Sequence, residues 1–229
     1  KLNTFLKEVL RNMPSDWLNL TTPRLDIYNE SLAKVEFLEQ FEDLFQKQNT
    51  STEALKEIPT AYDYIRLGHP LSCVLEWAIA KSQNIDAKNV ISFSSQTTPI
   101  IAVLRKNLLE NKKTQILYTN NLPEFLNAET LKKVYGFNFE LKQVKNGSAV
   151  SEFDGSTIFL YEKENICNFN IYSNIDFYIN LNKQVGSILL VNGKENENYI
   201  SEIQHVRRRE TIAMTPINCH LALNKLVEN

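Results

Sequence analysis

From Val90 onward, short apolar strands alternate with helices long enough to cross over a sheet, and this rhythm limits the fold more than any other feature. Val90–Phe93, Thr114–Tyr118, Phe137–Val144, Ser156–Tyr161, Ile175–Leu181 and Ser187–Val191 read as strands. Thr98–Glu110, Pro123–Gly136, Glu197–Arg209 and Pro216–Val227 read as helices, with Gly136 suited to a C-terminal cap. Parallel strands need crossovers of about a dozen residues or more, usually helical, and helices on both faces leave the strands apolar throughout. The expectation is an α/β fold, a mostly parallel sheet with helices on both faces. Upstream, Lys1–Met13 places Leu2, Phe5, Val9 and Leu10 on one helical side, and Asn29–Gln48 does the same with Val35, Phe37, Leu38, Phe41, Leu44 and Phe45. We therefore divide the chain into a helical N-terminal segment, 1–60, and an α/β domain, 61–229.

Composition narrows the function classes. A net charge of −2 over 229 residues offers no electrostatic footprint for nucleic acid or acidic lipid. Cys73, Cys167 and Cys219 are odd in number and widely spaced, which argues against a disulfide framework or a metal knuckle and for a reducing, cytoplasmic setting. No apolar run approaches the ~20 residues of a spanning helix, and no basic-then-apolar leader opens the chain. His69, His205 and His220 lack metal-ligand spacing and read as ordinary helix and turn residues. No Ser/His/Asp or Cys/His order supports a hydrolase. Three adjacent arginines, Arg207–Arg209, spread around their helix and read as a solvated or partner-contacting face.

The chemistry concentrates between Tyr62 and Asn107, at two joints. The first, Tyr64-Ile-Arg66-Leu-Gly68-His-Pro70, is a polar turn feeding a helix that runs to Ser82. The second begins as the strand Val90–Phe93, breaks into Ser94-Ser95-Gln96-Thr97-Thr98 and starts a helix at Pro99. A helix start carries unpaired N–H groups and partial positive charge, so strand, polar turn and helix together can hold an anion. The same hydroxyls can instead cap the helix.

These joints resemble the cystathionine synthase/lyase group of pyridoxal-phosphate enzymes, the Cys/Met-metabolism branch of the fold-type-I superfamily. That family's pattern is a Tyr-x-Arg-x-x-Asn-Pro turn, a helix carrying Leu-Glu, then Phe-Ser-Ser-Gly. Tyr64, Arg66, Gly68, Pro70, Leu75, Glu76, Phe93, Ser94 and Ser95 fall in register, with His69 in place of Asn and Gln96 in place of Gly. Val185–Val191, Tyr199–Arg209 and Thr215–Leu223 are similar to the family's glycine-led strand, arginine-rich helix and Pro-led helix.

The resemblance implies a cofactor held by a phosphate cradle, a Schiff-base lysine, an acid on the pyridine nitrogen and a stacking aromatic. It assigns the cradle to Ser94, Ser95, Gln96 and Thr97, completed from a neighbouring subunit by Tyr64 and Arg66. It assigns the lysine to Lys183, one position early after the strand 176–182. The family's acid and stacking tyrosine have no counterpart: Asn165–Asn174 carries no carboxylate, and Leu122 and Pro123 stand where the aromatic would lie. A strand-helix-strand unit is missing from this region, and no counterpart of the family's small C-terminal domain is expected. Pyridoxal phosphate, if bound, is then expected without a covalent link.

Three functions follow from this pattern. The first is a catalytically degenerate homologue acting as an interaction or regulatory subunit, in a homo-oligomer or with a full-length, active relative. The second is a minimal pyridoxal-phosphate lyase or synthase of sulfur amino acids using Lys183. The third is a cofactor-free phosphate or small-anion binding module built on Ser94–Thr98.

Overall fold

A computed structural model describes residues 1–19, 30–59, 66–145 and 150–228, with the backbone alone for 30–33. Six strands, β1 (Val90–Phe93), β2 (Thr114–Tyr118), β3 (Phe139–Gln143), β4 (Ser156–Glu162), β5 (Phe177–Asn182) and β6 (Gly186–Val191), form one sheet in the order β1-β6-β5-β4-β2-β3. β3, β2, β4 and β5 run parallel, and β6 is antiparallel to both β5 and β1. Five strands thus point one way, and their carboxyl ends share one edge of the sheet. β1 and β6 are buried along their whole lengths, as strands covered on both faces should be.

Alternation assigns each strand residue to a face. Val90, Leu117, Phe159, Tyr178, Ile188 and Leu190 join a core with α1 (Leu2–Asn12), α2 (Glu30–Lys47), α4 (Pro70–Gln83) and α8 (Pro216–Glu228). Ile91, Phe93, Ile116, Ile158, Ile179 and Leu189 join the opposite core with α5 (Thr98–Leu109), α6 (Ala128–Lys133) and α7 (Ile200–Glu210). The described residues up to 57, including α3 (Thr52–Glu57), belong to the former face. Their anchor is an aromatic cluster in which Trp77 of α4 meets Phe41 edge-on at 5.0 Å and Phe45 at 5.3 Å, while Phe5 of α1 meets Phe41 at 5.6 Å. Such pairs add about 0.5–1.5 kcal/mol each beyond the area they bury.

Local chemistry sets the element boundaries. Pro70 opens α4 in the first turn, where its missing N–H costs nothing, and Asn84 ends the helix in the left-handed region at φ 55°. The helix expected over 123–136 forms only at Ala128–Lys133. Asn127 accepts from the Thr130 N–H at 2.9 Å and starts it there, because its short side chain competes for the helix-start amides. The helix ends at Lys133 with Val134, not Gly136, at the C-cap; Gly136, at φ 70°, lies in the turn beyond, its N–H donating to Lys132 O. Glycine is also required at 186, where φ is 123° and a Cβ would stand 2.2 Å from the Phe93 carbonyl oxygen. The turn expected at Asn146-Gly147 lies outside the described residues.

The connection between parallel strands β4 and β5, residues 163–176, contains no helix. Ile166, Cys167, Phe169 and Ile175 are buried from it, and Asn180 of β5 donates to the carbonyls of Ile166 (2.8 Å) and Asn168 (3.0 Å). Buried side-chain hydrogen bonds do here what a crossover helix does elsewhere.

Candidate functional site

Both residue sets singled out in the sequence sit at the carboxyl edge of the sheet. The turn after β1 carries Ser94 to Thr97, and the turn from β5 to β6 carries Lys183. Gln96 Nε2 donates to the Asn182 carbonyl at 3.4 Å, and Ser187 Oγ donates to the Ser95 carbonyl at 2.5 Å, so the two turns are tied side by side.

At the start of α5, Ser95 Oγ accepts from the amides of Thr97 (3.2 Å) and Thr98 (3.1 Å) and from the Thr98 hydroxyl (2.9 Å). Two amides of this helix start are thus already bonded to the chain's own hydroxyl. Ser94 turns the other way, its N–H donating to Ile212 O at 3.2 Å and its hydroxyl within 3.2 Å of Thr211 and Ile212 O. Arg66 is exposed, and Tyr64 lies outside the described residues.

Lys183 occupies a three-residue hairpin, in which the Asn182 side chain accepts from the amides of Gln184 and Val185 at 2.9 and 3.3 Å. Its side chain is 74% exposed and its Nζ lies 3.5 Å from Glu162 Oε1. Asp176 stands at the opposite end of β5, about 20 Å away at the usual rise per residue. There it accepts from the Thr157 amide at 2.7 Å and from Asn196 at 2.9 Å.

Pyridoxal phosphate can be tested against these residues. Of the cradle amides, that of Thr97 is taken by Ser95 and that of Ser94 by Ile212 O, the carboxylate of β5 is at the wrong edge, and the lysine is solvated and ion-paired on a tight turn. No aromatic ring among the described residues lines the cleft beside Lys183. The residues present do not fit the cofactor, and no chemistry is derived through it.

A buried charge cluster anchors the first joint from below. Glu76 of α4, 2% exposed, accepts from Lys34 (2.5 Å), from the Ser92 amide and hydroxyl (2.9 and 2.8 Å) and from Arg207 of α7 (3.1 Å). Arg207 also donates to the carbonyls of Ser92 (2.9 Å) and Leu67 (3.0 Å). Burial raises the Glu76 pKa, but the ammonium of Lys34 and the guanidinium of Arg207 outweigh it and hold the carboxyl below its ordinary range. Arg207 is therefore not the solvated or partner-facing residue expected from the sequence; it is 5% exposed because Glu76 compensates its charge.

His69 is likewise more than an ordinary turn residue. Its Nδ1 accepts from the Ser72 amide at 3.2 Å, its own N–H donates to the Ser72 hydroxyl at 3.0 Å, and its Nε2 meets Met214 O at 2.6 Å. Burial lowers its pKa to about 4. The signal missed in the sequence is Glu76 itself, an acid among Cys73, Trp77 and Ala80 on the apolar side of its helix. A carboxylate there requires a buried cation, and Arg207 was available.

No protein-family model and no curated protein matches the chain. Among solved structures, cystathionine gamma-lyase from yeast superposes with a TM-score of 0.52 at 10% sequence identity, over 97% of this chain and 62% of that one. The chain has the fold of cystathionine gamma-lyase. Cystathionine gamma-lyase from Lactobacillus plantarum, complexed with L-serine, gives a TM-score of 0.48 at 12% identity, over 97% of this chain and 63% of that one. MetB from Corynebacterium glutamicum gives 0.47 at 12%, over 99% and 65%. The chain spans less than two thirds of the length of each of these three proteins. The resemblance carried by the two joints thus holds at the level of the fold. Among the described residues no helix is long and apolar enough to cross a membrane, and no cluster of His, Cys, Asp or Glu could hold a metal ion.

Proposed function

We propose that the chain is a catalytically degenerate member of the cystathionine synthase/lyase fold that acts as an interaction or regulatory subunit, paired with a copy of itself or with a full-length relative. The reading rests on one observation above all. Ser95 Oγ occupies the α5 amides at 3.1–3.2 Å, while Lys183 stands 74% exposed in the adjacent turn, paired with Glu162. An exposed lysine held in an ion pair lacks the desolvated pocket that activates an amine as a nucleophile. Arg66 remains exposed and available to a neighbour. Solvent-facing Ile217 (63%) and Leu221 (47%), one turn apart on α8, supply apolar surface of the kind partner contacts use. In this reading the protein is cytoplasmic, with residues 1–60 as a helical segment packed onto the α/β domain of residues 61–229.

Two measurements test it. Added pyridoxal phosphate should give no absorption band beyond that of the free compound, and borohydride should leave the mass of Lys183 unchanged. Mixed with a full-length relative of this fold, the chain should form a heteromer whose activity changes on Tyr64→Phe or Arg66→Ala. Unchanged activity in a confirmed heteromer would remove the regulatory role.

The minimal-enzyme reading, with Lys183 as the covalent anchor, draws on the 3.4 Å contact between Gln96 and Asn182 that sets cradle and lysine side by side. A borohydride-stable adduct on Lys183, lost in Lys183→Ala, would establish that reading and end the first.

A further inference from the structure

The carboxyl edge of the sheet also holds a cleft that the turn at Ser94–Thr97 does not line. It is a crevice of about 610 Å³, formed by Asn120 and Asn121 after β2, residues 162–164 at the end of β4, residues 182–184 at the end of β5, and Lys225 of α8. Its place follows from the topology. β2 and β4 are neighbours, yet the chain leaves β2 toward β3 at the sheet edge and leaves β4 toward β5 on the other side. Connections departing in opposite directions from adjacent parallel strands open a crevice at their carboxyl ends, and ligands of open α/β sheets bind at such switch points. The volume lies within the range of small-molecule sites.

The lining specifies what could fill it. Three lysines face two glutamates there. Lys183 lies 3.5 Å from Glu162, and Lys225 lies 3.7 Å from Glu164. Lys163 has no carboxylate partner among the described residues; its Nζ donates to Asn168 O at 2.7 Å and lies 4.4 Å from the centre of the Tyr161 ring. It is half-buried, and desolvation pulls its ammonium below the ordinary lysine range. Its backbone is fixed, because Asn182 Nδ2 donates to the carbonyls of Lys163 (2.9 Å) and Glu164 (3.3 Å). The side-chain carboxamides of Asn120, Asn121 and Gln184 form no hydrogen bond within the described protein, so donors and acceptors are both on offer. A dianionic phosphate suits this lining poorly, since Glu162 and Glu164 would repel its second charge and it offers at most one hydroxyl to the carboxamide oxygens. A monoanion bearing hydroxyl groups matches every element.

We propose that this crevice binds a small hydroxylated monocarboxylate, its carboxylate paired with Lys163 and its hydroxyls bonded to Asn120, Asn121 and Gln184. The site is separate from the cradle turn and does not depend on whether the chain pairs with a relative.

Calorimetric titration of the full chain with D-gluconate at fixed ionic strength tests it, with sorbitol and inorganic phosphate as comparison probes. Gluconate should bind saturably and sorbitol and phosphate at least about tenfold more weakly, since a charge-assisted bond and its acceptor match are lost. Lys163→Gln should weaken gluconate by about tenfold or more, while Lys56→Gln, on exposed α3 and outside the crevice, should leave it unchanged. The far-ultraviolet circular dichroism of both variants should match the parent. Equal binding by parent and Lys163→Gln, equal or tighter binding of phosphate, or no saturable gluconate binding would each overturn the proposal.

Discussion

Removing the charge of Glu76 should cost more stability than removing either of its cations, and the order follows from counting charges inside the cluster. One carboxylate serves two buried or nearly buried cations, with side-chain exposures of 2% for Glu76, 6% for Arg207 and 12% for Lys34. Glu76→Gln keeps an oxygen for the Ser92 amide but leaves Arg207 and Lys34 facing each other without a counter-charge. Breaking a buried pair from one side costs about 3–5 kcal/mol, and this case should lie at the upper end because two cations are orphaned. Arg207→Met leaves Glu76 paired with Lys34 and bonded to Ser92. Its cost is mainly that of two stranded carbonyls, Ser92 O and Leu67 O, about 2–3 kcal/mol at the usual penalty for unpaired buried groups. Lys34→Met removes a partly exposed partner and leaves Arg207 in place, about 1 kcal/mol. Urea unfolding of the three variants, followed by circular dichroism at constant m-value, measures the series. Against a total stability of about 5–15 kcal/mol, the Glu76 variant should be visibly compromised. Should Lys34→Met prove as damaging as Glu76→Gln, or Glu76→Gln cost less than about 1 kcal/mol, the cluster would not be the compensated charge centre argued from its distances.

Two further outcomes follow from single side chains. His69 is held neutral in the fold, with its pKa lowered from 6.5 to about 4, so the unfolded chain binds the extra proton first. Its contribution is present above pH 6.5 and lost as pH falls toward 4, about 3 kcal/mol across that window. In His69→Asn a carboxamide oxygen can still accept from the Ser72 amide, and the slope of stability against pH over this window should flatten; an unchanged slope would mean another group titrates there. Ser95→Ala should lower stability by about 1 kcal/mol in thermal melts, as loss of a hydroxyl at a helix start usually does. If the same variant gained affinity for phosphate, the freed α5 amides would be competent anion donors masked by Ser95.

How far the molecule could be read from its residues depends on where the deciding interactions lie along the chain. The sheet was legible because its strands are apolar on both faces and its helices obey a 3.6-residue period, so Val90–Phe93 and Thr114–Tyr118 were bounded to the residue. The helix over 123–136 was overdrawn because its composition suits a helix, whereas Asn127 captures an amide and delays the start to Ala128. Val35, expected on the apolar side of α2, is 47% exposed, since the stripe that α4 covers is centred on Phe37, Phe41 and Phe45. At the candidate site the local chemistry was readable and the long-range pairing was not. The hydroxyls of 94–98 announce a helix start, but nothing in the spacing distinguishes amides waiting for an anion from amides satisfied by Ser95. Arg207 looked solvated beside Arg208 and Arg209 because its partner lies 131 residues away. Lys163 drew no notice because a lysine after a strand is usually in water, and only the departure of β2 and β4 in opposite directions places it in a crevice. A buried carboxylate on an apolar helix stripe is the one long-range signal the residues do carry. Glu76, between Cys73 and Trp77, could have called for a cation before any coordinates were known, and an arginine-rich helix late in the chain was the place to look for it.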